Sequence, residues 1–326
     1  MESLLALGTA FIASLMAMQL LLRSRLSDRL LDQPNARSLH QVAVPRHGGL
    51  AIMAGMLMVW LLNWQPWMWP MTLCVLLLVA LSFVDDVRHL PAGWRLMAHF
   101  LIAAVFVFGA QFSGWHVGGM SLMLVAMVWM TNLYNFMDGS DGLAGGMALS
   151  GFGFLGVAGL LAGDAQMATL ALAVAGGAAA FLLFNFHPAH VFMGDAGSIP
   201  LGFLAAAMGV IGWQRGDWSV WFPVMVFSPF ILDASVTLLK RLLRRKKVWQ
   251  AHREHYYQRL VQMGWGHRKT ALWAYGIMLL AGCSALVLLY QPWPVQKMGL
   301  MAWLVIYGGV MARIDAMWKR AGTCVS

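Results

Sequence analysis

The sequence predicts an all-α polytopic membrane protein of about eleven transmembrane helices. Three observations carry this. Hydrophobic residues fill 60% of the 326 positions and charged residues only 11%, whereas a soluble domain carries about 25% charged residues. The apolar residues gather in runs near the ~20-residue length that crosses a bilayer. Finally, 20 of the 22 Lys and Arg fall in alternate loops between those runs, so the positive-inside rule sets the N-terminus outside and the C-terminus in the cytoplasm. An ordinary soluble domain and a disordered chain are both excluded.

The runs lie at 4–22, 48–64, 69–84, 97–112, 117–134, 147–162, 167–186, 198–213, 218–239, 270–290 and 296–312. Each is a helix by default, because a segment in hydrocarbon must satisfy its own backbone polar groups. Several are short or rich in glycine, which leaves ten spans as the alternative. The first run has no basic segment before it and is followed by Arg23 and Arg25, the pattern of a retained span and not of a cleaved leader. The inside loops are 23–47 (with Arg29, Arg37 and Arg46), 85–96 (with Arg88 and Arg95), 132–146, 185–197 and 240–269, and Arg313, Lys319 and Arg320 follow the last run. The outer loops, near 65, 114, 164, 215 and 293, are short and hold only Arg215 and Lys297. With no soluble domain, repeat or low-complexity linker, the chain reads as one integral-membrane domain over 1–326. The net charge of +9 sits in these loops and does not indicate nucleic acid. Cys74 and Cys283 fall inside apolar runs and Cys324 near the end, so no disulfide framework is readable.

The acidic residues cluster on the same side. In SFVDDVRHLPAGWR, Asp85 and Asp86 end an apolar run. Carboxylates are unfavourable at a helix C-terminus and repel each other, costs that a divalent cation or partners such as Arg88 and Arg95 would offset. In NLYNFMDGSDGLAGG, Asn135, Asp138 and Asp141 follow at spacings of three, interleaved with Gly139 and Gly142. On a helix Asn135 and Asp138 share a face, and the glycines let the backbone approach a ligand. No Lys or Arg neutralises these carboxylates locally, which suits a hard cation or a nucleotide. An EF-hand is excluded, since the position requiring Glu holds Leu149.

NFHPAHVFMGDAGSIPLG carries Asn185, His187, His190, Asp195 and Ser198 on irregular backbone, tolerated near a membrane only where protein or a wet cavity surrounds it. Asp195 is the candidate Mg²⁺ ligand, because Mg²⁺ takes one or two carboxylates plus phosphate oxygens. The two histidines lack the further nitrogen or sulfur ligands that zinc needs. The loop KRLLRRKKVWQAHREHYYQRL begins as a topogenic basic run, but His252, Arg253, His255, Tyr257 and Arg259 point to phosphate recognition. Asp233, inside the ninth run, is a costly intramembrane carboxylate that lines the site or pairs with a basic residue. LDQPNARSLHQVAVPRHGG adds Asp32, Arg37, His40, Arg46 and His47. Together the loops suit a phosphorylated substrate bound through Mg²⁺ at the bilayer surface, hence phosphoryl transfer between a soluble and a lipid-bound partner.

DDVRHLP, NLYNFMDGSDGLAGG, NFHPAHVFMGDAGSIPLG and HREHYYQRL, in this order over residues 31 to 260, resemble the polyprenyl-phosphate N-acetylhexosamine-1-phosphate transferases. This is the glycosyltransferase 4 family of phospho-N-acetylmuramoyl-pentapeptide transferase and of the initiating GlcNAc-1-phosphate transferases. LDQPNARSLHQVAVPRHGGLAI resembles the first inside loop of the glycan-initiating branch. The resemblance implies transfer of sugar-1-phosphate from a UDP-N-acetylhexosamine to undecaprenyl phosphate at the cytoplasmic face of a bacterial inner membrane, with release of UMP. It implies Mg²⁺, with Mn²⁺ able to substitute, held by Asp195. It implies Asp85 and Asp86 as the pair that binds or deprotonates the lipid phosphate, without saying which is base and which ligand. Asn135, Asp138, Asp141 and Asn185 match the nucleotide side, and Arg253, His255 and Arg259 the basic loop. Tyr257 and Gln258 replace that loop's paired histidines. The variant resembles O-antigen-initiating enzymes of lipopolysaccharide biosynthesis, which take UDP-FucNAc or UDP-QuiNAc in place of UDP-GlcNAc. Membrane lipids are further partners and a homodimer stays open. A polytopic lipid or sugar transporter is the rival, but it would need charges within the bilayer and not aspartates clustered on one face. A CDP-alcohol phosphotransferase would need a compact DGxxARxxN pattern that the sequence lacks.

Overall fold

A computed structural model of the chain describes residues 2–25, 27, 30–33, 43–88, 90–110, 115–247 and 252–323, with the backbone alone for Asp86, Val87 and Thr323. Arg29, Arg37, His40 and Cys324 lie outside the described residues. The helices are α1 (Glu2–Arg23), α2 (Gly48–Leu62), α3 (Trp69–Arg88), α4 (Ala92–Gly109), α5 (Val117–Phe136), α6 (Leu143–Ala162), α7 (Ala165–Asn185), α8 (Asp195–Arg215), α9 (Trp221–Val226), α10 (Ser228–Leu243), α11 (Tyr256–Leu260), α12 (Gly266–Leu289) and α13 (Trp293–Thr323). The chain is an all-α polytopic membrane protein. Among the described residues, nine helical segments are long and apolar enough to cross a membrane.

Among the described residues every one of the eleven apolar runs is helical over most of its length, but two depart from a simple span. The run at 48–64 folds as α2, of 15 residues, about 22 Å at the helical rise and shorter than a bilayer requires. The run at 218–239 is broken at Phe227 (φ −92°, ψ 7°) into α9 and α10. Pro229 follows as the second residue of α10, where it has no N–H to continue the hydrogen-bond ladder of α9. The last run extends well past 312, because α13 continues through Arg313 and Asp315 for 31 residues in all.

α6, α7 and α8 form the centre, with 67%, 78% and 83% of their most apolar windows buried. α1 and α2 pack on α7, while α3 and α5 pack on α8. α13 lies at the periphery, where only 11% is buried.

The two ends of the bundle are tied differently. At one end Asp164 caps α7 by accepting from the Met167 amide at 2.8 Å. It also pairs with Arg215 at 2.8 Å. The Arg215 guanidinium lies 3.8 Å over the Trp67 ring, and the Trp67 indole donates to Gln166. At the other end the long loops meet. Leu31–Asp32 (β1) pairs antiparallel with Val44–Pro45 (β2). The chain then runs against the third motif, with the Phe192 amide donating to Pro45 O at 2.7 Å and the Gly48 and Gly49 amides donating to Phe192 O and Met193 O at 2.9 and 2.8 Å.

Candidate active site

The loop end of the bundle brings together residues that stand more than a hundred positions apart. Asp85 lies near the C-terminus of α3 and is buried. Its Oδ1 accepts from the Leu90 amide and its Oδ2 from Arg95 Nη1, both at 2.7 Å. The same Arg95 nitrogen is 3.5 Å from Asp195 Oδ2. One guanidinium at the start of α4 therefore bridges two of the three carboxylates named from the sequence at this place, which offsets the unfavourable helix-end position of Asp85. The backbone of Asp86 continues α3, and its side chain lies outside the described residues. Asp195 is the first residue of α8, where the macrodipole favours a carboxylate. Asn135 and Arg46 lie against it as well.

Asn135 and Asp138 do converge, though not as two positions on one helix face. α5 ends at Phe136, and Asp138 leaves the helix in the turn that follows. The Asp138 carboxyl is pushed well above the ordinary carboxylate range, first by burial and then by the like charges of Asp195 and Asp32. A backbone hydrogen bond from Gly194 acts against this but does not win. Gly194 has φ +72°, and a Cβ there would come within 2.5 Å of Arg46 O, so glycine is needed both for the dihedral and for the approach of the first inside loop.

Asp141 and Asn185 join the second motif to the third. Asp141 Oδ2 accepts from His187 Nδ1 at 2.6 Å and from the Ala189 amide at 3.2 Å. Asn185 is 3% exposed, accepts from the Gly142 amide at 2.9 Å, and donates to Val191 O at 2.8 Å. Both ends of its amide are thus engaged between the loops. Gly142 turns with φ +74° and its carbonyl accepts from the Tyr275 hydroxyl at 2.7 Å. His267 reaches the same place from the start of α12, with Nδ1 2.9 Å from Ser140 Oγ.

The basic loop folds around Asp233. This carboxylate accepts from the Tyr256 and Tyr257 amides at 2.9 and 3.0 Å, and His255 Nδ1 lies 3.3 Å away. It therefore caps the first turn of α11 from a different helix. The Tyr257 hydroxyl donates to Phe136 O at 3.1 Å, which places α11 on the end of α5 beside the second motif. His255 is buried and lies between Phe136 and Tyr257. His252 is adjacent, and burial together with the neighbouring His255 and Arg241 lowers its pKa to about 4. Arg253 borders this group, its carbonyl accepting from Gln262 at 2.9 Å. Burial pushes the Glu254 carboxyl up, but Lys246 and Arg241 beside it outweigh that and hold it below its usual range. Arg259 turns the other way. It is buried and donates to Asp315 Oδ1 of α13 at 2.8 Å, while Lys240 holds Asp315 Oδ2.

Sequence reasoning passed over His267, Tyr275 and Asp315. Tyr275 and Asp315 stand singly on long helices, and His267 closes the basic loop beside Arg268 and Lys269 with no motif around it to mark it. Arg95 was legible as a partner for Asp85, but its reach to Asp195 was not.

No group of three or more His, Cys, Asp or Glu that could by itself enclose a metal ion occurs among the described residues. The donor set nevertheless fits a hard divalent cation that takes its other ligands from phosphate and water. Asp195 faces Asp85 and Asp138, and the crowded charge around Asp138 is what such a cation would relieve.

Comparison with known proteins finds both a family and relatives. The family described as glycosyl transferase family 4 matches residues 68–213. The chain is 29% identical over 308 residues to a probable undecaprenyl-phosphate N-acetylglucosaminyl 1-phosphate transferase of Bacillus subtilis, covering 88% of this chain and 86% of the relative. It is 29% identical over 290 residues to the phospho-N-acetylmuramoyl-pentapeptide-transferase of Moorella thermoacetica, covering 79% and 88%. It is 31% identical over 225 residues to the protein of that name in Geobacillus kaustophilus, covering 61% and 68%.

Proposed function

The chain belongs to glycosyl transferase family 4, whose members in this comparison are polyprenyl-phosphate sugar-1-phosphate transferases, and from that premise we propose that it transfers an N-acetylhexosamine-1-phosphate from a UDP-sugar to undecaprenyl phosphate. The observation that carries the reading is the bridge from Asp85 through Arg95 to Asp195, with Asp138 facing it. Carboxylates from three separate loops converge there, beside Arg95 of the loop that carries Asp85 and Arg46 of the first inside loop.

In the reaction an oxygen of the lipid phosphate attacks the phosphorus that carries the sugar. The bond from that phosphorus to the bridging oxygen breaks, and UMP leaves with the electron pair. Because both reactants are anionic, positioning and charge compensation are the main tasks. Asp85 and Asp86 orient the lipid phosphate and accept its proton when it arrives protonated. Arg95, 37% of whose side chain is exposed, offers a forked donor set to that phosphate. Asn135, Asp138, Asp141 and Asn185 shape the nucleotide side. Arg253 and His255 hold phosphate oxygens, and Arg259 positions α11 through Asp315. Mg²⁺, for which Mn²⁺ can substitute, would be held by Asp195 and would supply Lewis-acid compensation of the diphosphate charge.

The loop end faces the cytoplasm of a bacterial inner membrane in this reading, supported by the bias of 20 of 22 basic residues toward one side. The replacement of two basic-loop histidines by Tyr257 and Gln258 favours the initiation of a glycan such as O-antigen, with UDP-FucNAc, UDP-QuiNAc or UDP-GlcNAc as donor. The test is UMP release by the purified chain with undecaprenyl phosphate and a panel of UDP-sugars. Release of UMP only in the presence of the lipid, with one sugar preferred, supports the reading. Sugar movement across vesicles without a lipid-linked product overturns it.

A further inference from the structure

We infer that His187 is a donor-contacting residue, oriented by Asp141 and braced by His267. This inference rests on the transferase reading above. The Asp141 side chain is only 10% exposed, and its oxygens are taken up inside the protein. Oδ2 accepts from His187 Nδ1 and the Ala189 amide, and Oδ1 lies 3.7 Å from His267 Nδ1. Asp141 therefore acts through its neighbours, and the group it presents outward is the imidazole of His187, 40% exposed.

The geometry also settles which nitrogen of His187 is available. A carboxylate only accepts, so Nδ1 carries the hydrogen that bonds Asp141 and Nε2 is left over. The ring is stacked on His267, with centroids 5.6 Å apart and planes 10° apart. His267 is itself fixed, because the Asp141 amide donates to its Nδ1 at 3.4 Å and Ser140 Oγ is 2.9 Å from the same atom. An exposed imidazole on a loop ordinarily samples several rotamers. This one is held by a short hydrogen bond on its edge and a second ring on its face. Such restraint of an accessible group lowers the ordering cost of binding a ligand.

The ligand chemistry follows from Nε2. In the neutral ring it is an acceptor for a hydroxyl or N–H, groups that a nucleotide sugar carries and a prenyl phosphate's hydrocarbon does not. The turn Phe186–His190 lies beyond the end of α7, and His187 and His190 are exposed on it. That position is open to a water-soluble donor. His187 therefore sets affinity for the UDP-sugar, while Asp141 and His267 are positioning residues.

Two amides separate this role from a structural brace. In His187→Asn the side-chain nitrogen takes the place of Nδ1, so the Asp141 contact is kept and the outer atom is lost. In His187→Gln the amide reaches the place of Nε2, so the outer atom is kept and the Asp141 contact is lost. UMP release by the purified full chain is measured while the UDP-sugar and undecaprenyl phosphate are varied separately. His187→Asn is expected to raise the KM for the UDP-sugar about tenfold and leave the KM for the lipid within about twofold, with His187→Gln within about threefold of wild type for both. Adding Asp141→Asn to His187→Asn is expected to change donor KM by less than about twofold further, since both act on one contact. Wild-type donor KM in His187→Asn, or a Gln variant worse than the Asn variant, overturns the inference and leaves the function standing. A wild-type chain that releases no UMP with any UDP-sugar overturns both.

Discussion

The two ends of the helix bundle treat charge in opposite ways. At the end formed by the short loops, Arg215 meets Asp164 at 2.8 Å and covers Trp67, and Asp164 also caps α7. Those two charges are paired locally, and the loops are short. At the other end Asp85, Asp138, Asp195 and Asp32 face one another, and burial with like charge holds the Asp138 carboxyl high. A fold assembled from the same kinds of helices can evidently neutralise its loop charges. Where it crowds carboxylates together, burial and like charge outweigh the Gly194 hydrogen bond at Asp138, the electrostatic signature of a candidate ligand site. Asp217 is the exception at the short-loop end: burial and the nearby Asp164 raise its pKa to about 6, and one carboxylate oxygen is buried without a hydrogen-bond partner.

The comparison is broken most severely by removing charge from the crowded end. Asp195→Asn is expected to lower kcat by about a thousandfold or more, and chelation by excess EDTA to abolish UMP release. Turnover near wild type in either case would remove the metal from the account. The matching change at the short-loop end, Asp164→Asn, removes a partly exposed ion pair worth about 1 kcal/mol or less, while the amide oxygen keeps the cap. It is expected to lower the melting midpoint slightly and leave kcat/KM unchanged.

A smaller effect is expected in the basic loop. Arg253→Ala and His255→Ala should each reduce kcat/KM by about tenfold or more, and Tyr257→Phe by less, since it loses one neutral hydrogen bond to Phe136 O. Equal damage from Tyr257→Phe and His255→Ala in steady-state UMP release would mean that the tyrosine has taken over the missing histidine's role.

The smallest effect concerns Asp217. Its folded pKa is about 6, against an unfolded value near 3.8. The folded state therefore binds its proton more tightly, so this group lowers stability as pH rises from about 4 to about 6. Asp217→Asn is expected to raise the melting midpoint at pH 7 by about 1–2 °C and to change nothing at pH 4. Identical pH profiles for the variant and wild type would show that the carboxyl is not perturbed.

Much of this was legible in the sequence. The helices follow from apolar runs that must satisfy their own backbone. The carboxylates were legible because acidic residues are scarce in so apolar a chain and because a carboxylate at a helix C-terminus, as at Asp85, is costly, so each one draws notice. The break at Phe227 was harder to read, because Pro229 sits inside a run whose hydropathy is continuous. Asp233 was marked as costly, yet its task as the cap of α11 depends on a turn 23 residues further on. Asp315 carried no signal at all, since its partners are distant in sequence, Lys240 reading as part of a topogenic run and Arg259 as part of a phosphate loop.

Composition, run length and the placement of basic residues by themselves determine that this chain is helical, crosses a membrane many times and gathers its basic residues in alternate loops. These are local or additive properties, readable one segment at a time. Which carboxylates face each other, which arginine bridges them and which histidine is held ready at the rim were decided only by tertiary structure. Each of those facts depends on distances between residues from separate helices, such as the 3.5 Å from Arg95 to Asp195 and the 2.6 Å from His187 to Asp141. No periodicity within a segment encodes them, because they arise from how α3, α4, α6, α7 and α8 pack.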